Sequence, residues 1–182
     1  MLVNSFRRRR SASRGQALVE FALVAPIFFL LVFSIIQLGL VFGAQNGLVD
    51  GVRSAARRAA TYRINEGSFD ATVWGGICAT IEQEVTDRLS GAQGQDLVVG
   101  FTPANLNTDI TYTFEPDPEG TWFLVAEITA TYRNQLYVPL VSNFLDGSDG
   151  SNDGFLTLTA SEQMRVENPP LDLPTTFSKA CP

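Results

Sequence analysis

Between Phe21 and Phe42 the chain reads FALVAPIFFLLVFSIIQLGLVF, 22 residues without a charge, interrupted only by Pro26, Ser34, Gln37 and Gly39. As an α-helix this run extends about 33 Å at 1.5 Å per residue, enough to cross the hydrocarbon core of a bilayer. Before it lie Arg7, Arg8, Arg9, Arg10 and Arg14, with no acid among residues 1–15. A basic block beside an apolar span stays in the cytoplasm, so the N-terminus is expected inside and residues beyond about 45 outside. Arg53, Arg57 and Arg58 on the far side narrow that bias. They are read as a solvated helix face, with lipid phosphates or acidic partners as the alternative. A cleavable secretory signal has an apolar core of roughly 7 to 15 residues, shorter than this one, so the helix is expected to be retained.

The rest of the composition limits the chemistry. The 182 residues, 45% of them hydrophobic, suit one domain or at most two. There is no histidine and Lys179 is the single lysine, which removes Ser-His-Asp triads, Cys-His pairs, His-ligated metals and most lysine chemistry. A hydrolase working through two carboxylates needs both acids in one cleft, and nothing in the sequence pairs Glu115, Glu127 or Glu162 in that way. No enzyme, cofactor or metal centre is therefore expected. The formal net charge of −6 hides a +5 leader; the remainder sets eight Lys and Arg against 19 Asp and Glu, or −11. An acidic body argues against nucleic acid as a partner, because phosphate binding draws on clustered cations.

One residue is out of place for a plain anchor. Glu20 abuts the apolar run, where a carboxylate near hydrocarbon costs up to ~3 kcal/mol unless it reaches water or a partner. Its surroundings, Arg14-Gly15-Gln16-Ala17-Leu18-Val19-Glu20-Phe21, resemble the class III signal of type IV pilin-like proteins. More specifically, Gly15 to Pro26 (GQALVEFALVAP) followed by a Phe/Leu/Ile-rich helix resembles the opening of the TadE-like family, minor pilin-like proteins of tight-adherence (Flp) pili. The segment Leu156 to Glu167 is also in that family's manner. The resemblance implies that a prepilin peptidase cuts after Gly15 and makes Gln16 the new N-terminus. It further implies that Glu20, with Phe21 and Pro26 in the same motif, serves assembly, the glutamate meeting the amino terminus of a neighbouring subunit. The implied partners are the bilayer, the peptidase, other pilins or TadE/TadF-like minor pilins, and the tight-adherence inner-membrane machinery. The implied location is the inner membrane, single-pass, with pilus association. The competing reading is an uncleaved, membrane-anchored extracytoplasmic binding module, for which Gly15 and Glu20 would be replaceable.

Gly39, Gly43, Gly47 and Gly51 recur every four residues and continue into Ala55 and Ala59. Four interior glycines cost roughly 4 kcal/mol of helix propensity against alanine, which close packing must offset. Docking against another pilin helix, packing against the chain's own outer domain, and a helix break near Asn46-Gly47 all remain open. Pro26 removes the helical bond to the Ala22 carbonyl and is expected to kink or loosen the helix.

Beyond the span, Gly75 to Ser90 has the 3.6-residue period of an amphipathic helix, with Ile77, Ala79/Thr80, Ile81, Val85 and Leu89 inward, Glu82, Glu84, Asp87 and Arg88 outward, and Gly91 as its stop. The period then changes to two, with strands expected over Asp96–Thr102, Asp109–Glu115, Trp122–Arg133 and Phe155–Val166 and a hairpin turn at Pro116–Gly120. The expected fold is α+β: a long N-terminal transmembrane helix, a short second helix and an antiparallel sheet of about four strands. The expected division is a leader over 1–15, the helix over 16–62 and an extracytoplasmic domain over 63–182. Tyr137 to Val141 with Phe144-Leu145 are expected in the core. Asp149, Ser151, Asp153 and Gly154 match positions 1, 3, 5 and 6 of a calcium loop, but Ala160 stands where the bidentate glutamate is needed, so Asp146 to Gly154 is read as a hairpin loop. Cys78 and Cys181 are the only cysteines; in an oxidising compartment they are able to join, the alternative being two unrelated thiols.

Overall fold

A computed structural model describes residues 9–64, 68, 70–91, 98–116, 119, 122–147, 150, 153–167 and 176–182. The first helix, α1 (Arg9–Thr61), is one uninterrupted rod of 53 residues with Pro26 inside it. The chain therefore does not break at Asn46-Gly47. It follows with α2 (Ala71–Leu89), a 3₁₀ turn (Pro103–Asn105), β1 (Leu106–Pro116), β2 (Trp122–Gln135), α3 (Pro139–Asp146), β3 (Phe155–Arg165) and β4 (Ser178–Ala180). Among the described residues the strands form one antiparallel sheet in the order β3-β2-β1-β4. The fold is α+β, with a long apolar N-terminal helix, a shorter one and a four-stranded antiparallel sheet.

Alternation in the strands separates two faces. Ile110, Tyr112, Leu124, Ala126, Ile128, Ala130, Tyr132, Leu158 and Ala160 point to one side and are buried, as period-two patterning requires. The other face carries Asn107, Asp109, Thr111 and Thr113 from β1, Glu127, Thr129 and Thr131 from β2, and Thr159, Ser161 and Gln163 from β3. Helix packing on the apolar face comes from the C-terminal half of α1 and from α2. Val41, Ala44, Leu48, Val52, Ala55, Ala56 and Ala59 of α1 meet Ile77, Cys78, Ile81, Val85 and Leu89 of α2 in the same core. The Tyr112 hydroxyl donates to the Ala59 carbonyl at 3.3 Å, and burial pushes its phenol up from the ordinary tyrosine range.

The helix predicted over Gly75–Ser90 begins earlier, because Asp70 caps it by accepting from the Thr72 amide. Gly91 follows its end with φ +73°, the left-handed conformation of a helix stop. The added first turn brings Trp74 into the core against Tyr112, with ring centroids 5.3 Å apart. Ala79 is exposed and Cys78 takes the buried position.

Two further expectations change. Among the described residues of Asp96–Thr102, 98–102, no strand forms. Gly100 sits at φ +71° and turns the chain, while Phe101 stacks on the Tyr132 ring and the Thr102 amide donates to the Tyr132 hydroxyl; the β-branched run is an anchor, not a ladder. The fourth strand is instead β4, which covers the β1 edge. It is held by Cys181 N donating to Ile110 O at 2.8 Å, by Trp74 Nε1 donating to Ala180 O at 3.1 Å, and by a disulfide between Cys78 and Cys181. Tyr137–Val141 and Phe144-Leu145 are also not simply core. Pro139 starts α3 at a position where a missing amide costs nothing; Leu145 packs inward, yet Tyr137 is 45% exposed and Phe144 82%.

Glu84 and Arg88, expected outward, face α1. The Ser54 hydroxyl donates to Glu84 at 2.7 Å, Arg58 reaches it at 3.1 Å and Arg88 lies 3.5 Å away, and Arg88 also donates to Ser54. The Ser54 hydrogen bond, aided by the two guanidinium groups and opposed by desolvation, holds the Glu84 carboxyl below its ordinary 4.5. A lowered carboxylate pKa stabilises the fold above the unfolded-state value, and that contribution is lost as pH falls through the folded-state value. Stability is thus expected to drop as pH goes below about 4.5. Glu84→Gln should cost about 1 kcal/mol at pH 7 and flatten that acid limb; denaturant titrations at pH 7 and pH 3.5 check both.

Candidate functional site

The two halves of α1 have opposite surroundings. From Val41 onward one side of the helix is core; from Leu18 to Leu38 most of its large side chains project bare, Gln37 excepted. Leu18, Phe21, Leu23, Val24 and Ile27 are all exposed by more than three-fifths. Among the described residues one helix, Gly15–Thr61, is long and apolar enough to cross a membrane.

At the N-terminal end of the bare half, Gln16 Nε2 donates to Glu20 Oε1 at 3.1 Å, one helical turn away and in the open. A side chain at Gly15 would meet nothing within 4 Å, so packing in this chain gives no reason for glycine there. Phe21 and Pro26 are likewise exposed. The helix continues through Pro26, beside aromatic contacts of Phe28 with Phe29 and of Phe29 with Phe33. From Gly15 to Val24 the motif is thus an open helix surface.

The glycine ladder divides between two environments. Gly39 faces open space, Gly43 is half-buried, and Gly47 and Gly51 are buried. A β-carbon on Gly51 would lie 3.4 Å from Val85 Cγ1, so this rung brings α1 close to α2.

Gln37, visible in the sequence only as a polar interruption, proves to be a joint. It is fully buried, and its Oε1 accepts from the amides of Tyr137 at 2.9 Å and Val138 at 3.2 Å. Its Nε2 is buried with no hydrogen-bond partner among the described residues. The Tyr137 hydroxyl donates to Val99 O at 3.2 Å and lies against Gly100, where a β-carbon would come within 2.3 Å of it. Below this joint an apolar groove of about 480 Å³ runs between α1 and the start of α3, lined by Pro26, Ile27, Phe29, Leu30, Phe33, Val138 and Pro139. A glutamine in an otherwise apolar span was the available signal, but its partners lie 100 residues away in sequence.

The acids considered for hydrolysis are separated by the sheet. Register puts Glu115 and Glu127 on the outer face, while Glu162 lies on the inner one, 3.9 Å from Arg53. In the loop whose spacing partly matches a calcium loop, Asp149 and Ser151 lie outside the described residues. Asp153 pairs with Arg133 and accepts from the Phe155 amide, and Ala160 is in the middle of β3. Among the described residues no three His, Cys, Asp or Glu side chains gather as a metal site.

No curated protein and no solved structure matches the chain. Residues 15–57, the bare half of α1 with most of its buried half, match the family model described as TadE-like protein, the family that the Gly15–Pro26 motif resembles.

Proposed function

We propose that the chain is a minor pilin or pseudopilin of a tight-adherence pilus, inserted by α1, cleaved after Gly15 by a prepilin peptidase, and assembled through its bare helix. The observation that carries this reading is the exposed apolar half of α1 with Gln16 and Glu20 at its inner end. That surface is too apolar for water and is left uncovered by the domain that packs the other half of the same helix. In the bilayer, lipid covers it; in a filament, neighbouring helices do. The −11 body then stands outside, the arginines before Gly15 are removed once they have set orientation, and the protein works as a structural part. The matched family supports pilus association; the cleavage, the location in the inner membrane and the domain division at 15/16 and 62/63 belong to this proposal.

The deciding measurement is the mass of the mature chain from membranes. A chain starting at Gln16 supports the proposal. A chain retaining Met1 in cells with an active prepilin peptidase defeats it and favours the uncleaved binding module.

Gly39 offers a test of helix docking. Gly39→Leu adds a side chain in open space, so the domain should melt within about 1 kcal/mol of the parent. Recovery in sheared filaments should nonetheless fall sharply, because a small-residue rung that lets helices approach is filled. Gly51→Leu should do the reverse, destabilising the domain itself by about 1–3 kcal/mol through overpacking against α2.

A further inference from the structure

The outer domain does not simply stand above the membrane. If Glu20 marks the inner boundary of the hydrocarbon, Gln37 lies 17 residues further along a continuous helix, about 26 Å at 1.5 Å per residue. A hydrocarbon core of about 30 Å then reaches slightly past Gln37. Gln37 is where the domain grips the helix, through the amides of Tyr137 and Val138. Phe33, one turn deeper, lines the same groove as Val138 and Pro139. The Tyr137–Pro139 segment is therefore held at the outer leaflet.

The surface there has the chemistry of an interfacial element. Among the side chains described there, Tyr137, Pro139, Asn143 and Phe144 are exposed, and none is charged. The one acid of α3, Asp146, is buried and accepts from the Gly154 amide at 2.8 Å. The Ser142 hydroxyl is turned back onto Pro139 O at 2.8 Å. A protruding phenylalanine, a half-exposed tyrosine ahead of the helix and an apolar groove continuous with a membrane-spanning surface are what a helix lying at the boundary of headgroups and acyl chains presents.

We infer that Tyr137–Pro139 and α3 form a lipid-binding element: Phe144 inserts into the outer leaflet and the groove beside Phe29, Phe33 and Pro139 holds a phospholipid acyl chain. The inference rests on α1 being the membrane span. It gives Gln37 its role: the glutamine satisfies two backbone amides that would otherwise enter hydrocarbon unpaired.

The test places spin labels on the full-length chain in phosphatidylethanolamine/phosphatidylglycerol vesicles, using Phe144→Cys, Leu30→Cys and Gln163→Cys separately, with Cys78 and Cys181 kept as their disulfide. Collision of each label with oxygen, which concentrates in lipid, is compared with collision with a water-soluble nickel complex. The expected result is an oxygen-to-nickel ratio above one at 30 and at 144 and below one at 163. A label at 144 that behaves like the one at 163, while 30 remains in lipid, overturns this inference and leaves the span intact. A label at 30 that also reads as aqueous overturns both. A ratio at 144 that falls below one on dilution of protein in lipid makes a second copy the occupant and overturns the lipid assignment.

Discussion

Glu20→Leu is expected to leave the chain inserted and cleaved but to remove it from filaments. Leucine relieves the membrane of a carboxylate worth up to ~3 kcal/mol at hydrocarbon depth, so insertion should improve if it changes at all. Assembly should suffer because, on the proposed reading, the glutamate neutralises the amino terminus of an adjacent subunit. Taking away one member of a desolvated charge pair leaves the other uncompensated, about 3–5 kcal/mol, and 3 kcal/mol is already more than a hundredfold in an association constant. The Glu20 carboxylate is on an open helix surface, where it accepts from the side-chain amide of Gln16 in the same chain at 3.1 Å; on the proposed reading Gln16 becomes the terminus on cleavage. The comparison to make is the share of the chain in sheared filaments against the share in membranes, with the N-terminal mass measured in both. Glu20→Leu chains entering filaments at the parental level would remove Glu20 from the assembly mechanism.

The second large effect is on the fold. Cys181→Ser should destabilise the outer domain by about 4–5 kcal/mol, since the bridge to Cys78 closes a loop spanning 103 residues and chain-entropy arguments give that value near 100 residues. For a domain with a total of about 5–15 kcal/mol this is a major share. More is lost locally: β4 pairs over three positions with β1, too short a strand to hold alone, and without it the β1 edge is open to other chains. Thermal unfolding in detergent should show a midpoint lower by roughly 10 °C or more, reproduced in the parent by reductant and insensitive to reductant in the variant. A shift worth less than about 1 kcal/mol would mean that packing around Trp74 holds the tail without the bridge.

Where a single physical rule governs a segment, the sequence already contained the structure. The uncharged run after Glu20, the 3.6-residue spacing of Ile77, Ile81, Val85 and Leu89, and the alternation in β1, β2 and β3 each depend on local pattern alone. What stayed hidden depends on partners far away in the chain. Ser178-Lys179-Ala180 has no strand character; it becomes a strand because Cys181 and the Trp74 indole bring it to a vacant edge. Val98 to Thr102 has strand composition, but the turn at Gly100 and the Tyr132 ring claim it first. Glu84 and Arg88 look like solvent-facing charges until α1 is laid beside them. In the candidate site, Gly15, Gln16, Glu20 and Pro26 were legible as a motif, whereas the role of Gln37 needs the Tyr137 amide, and nothing in the glycine spacing says which rungs face the chain's own α2.

The way α1 is held has a mechanical side. The Cys78–Cys181 bridge ties α2 to the C-terminal tail and makes no covalent link to α1, so a pull along the helix axis, as in extraction from a membrane or tension on a fibre, bypasses the covalent staple. The load falls on the shear contact of Val41 to Ala60 against α2 and the sheet, on the Ser54–Glu84–Arg58 cluster and on the Gln37 joint. Because these are arranged along one rod, they resist together. An axial force should therefore tear the helix from its domain in one high-force event, while the bridged remainder keeps its tail attached.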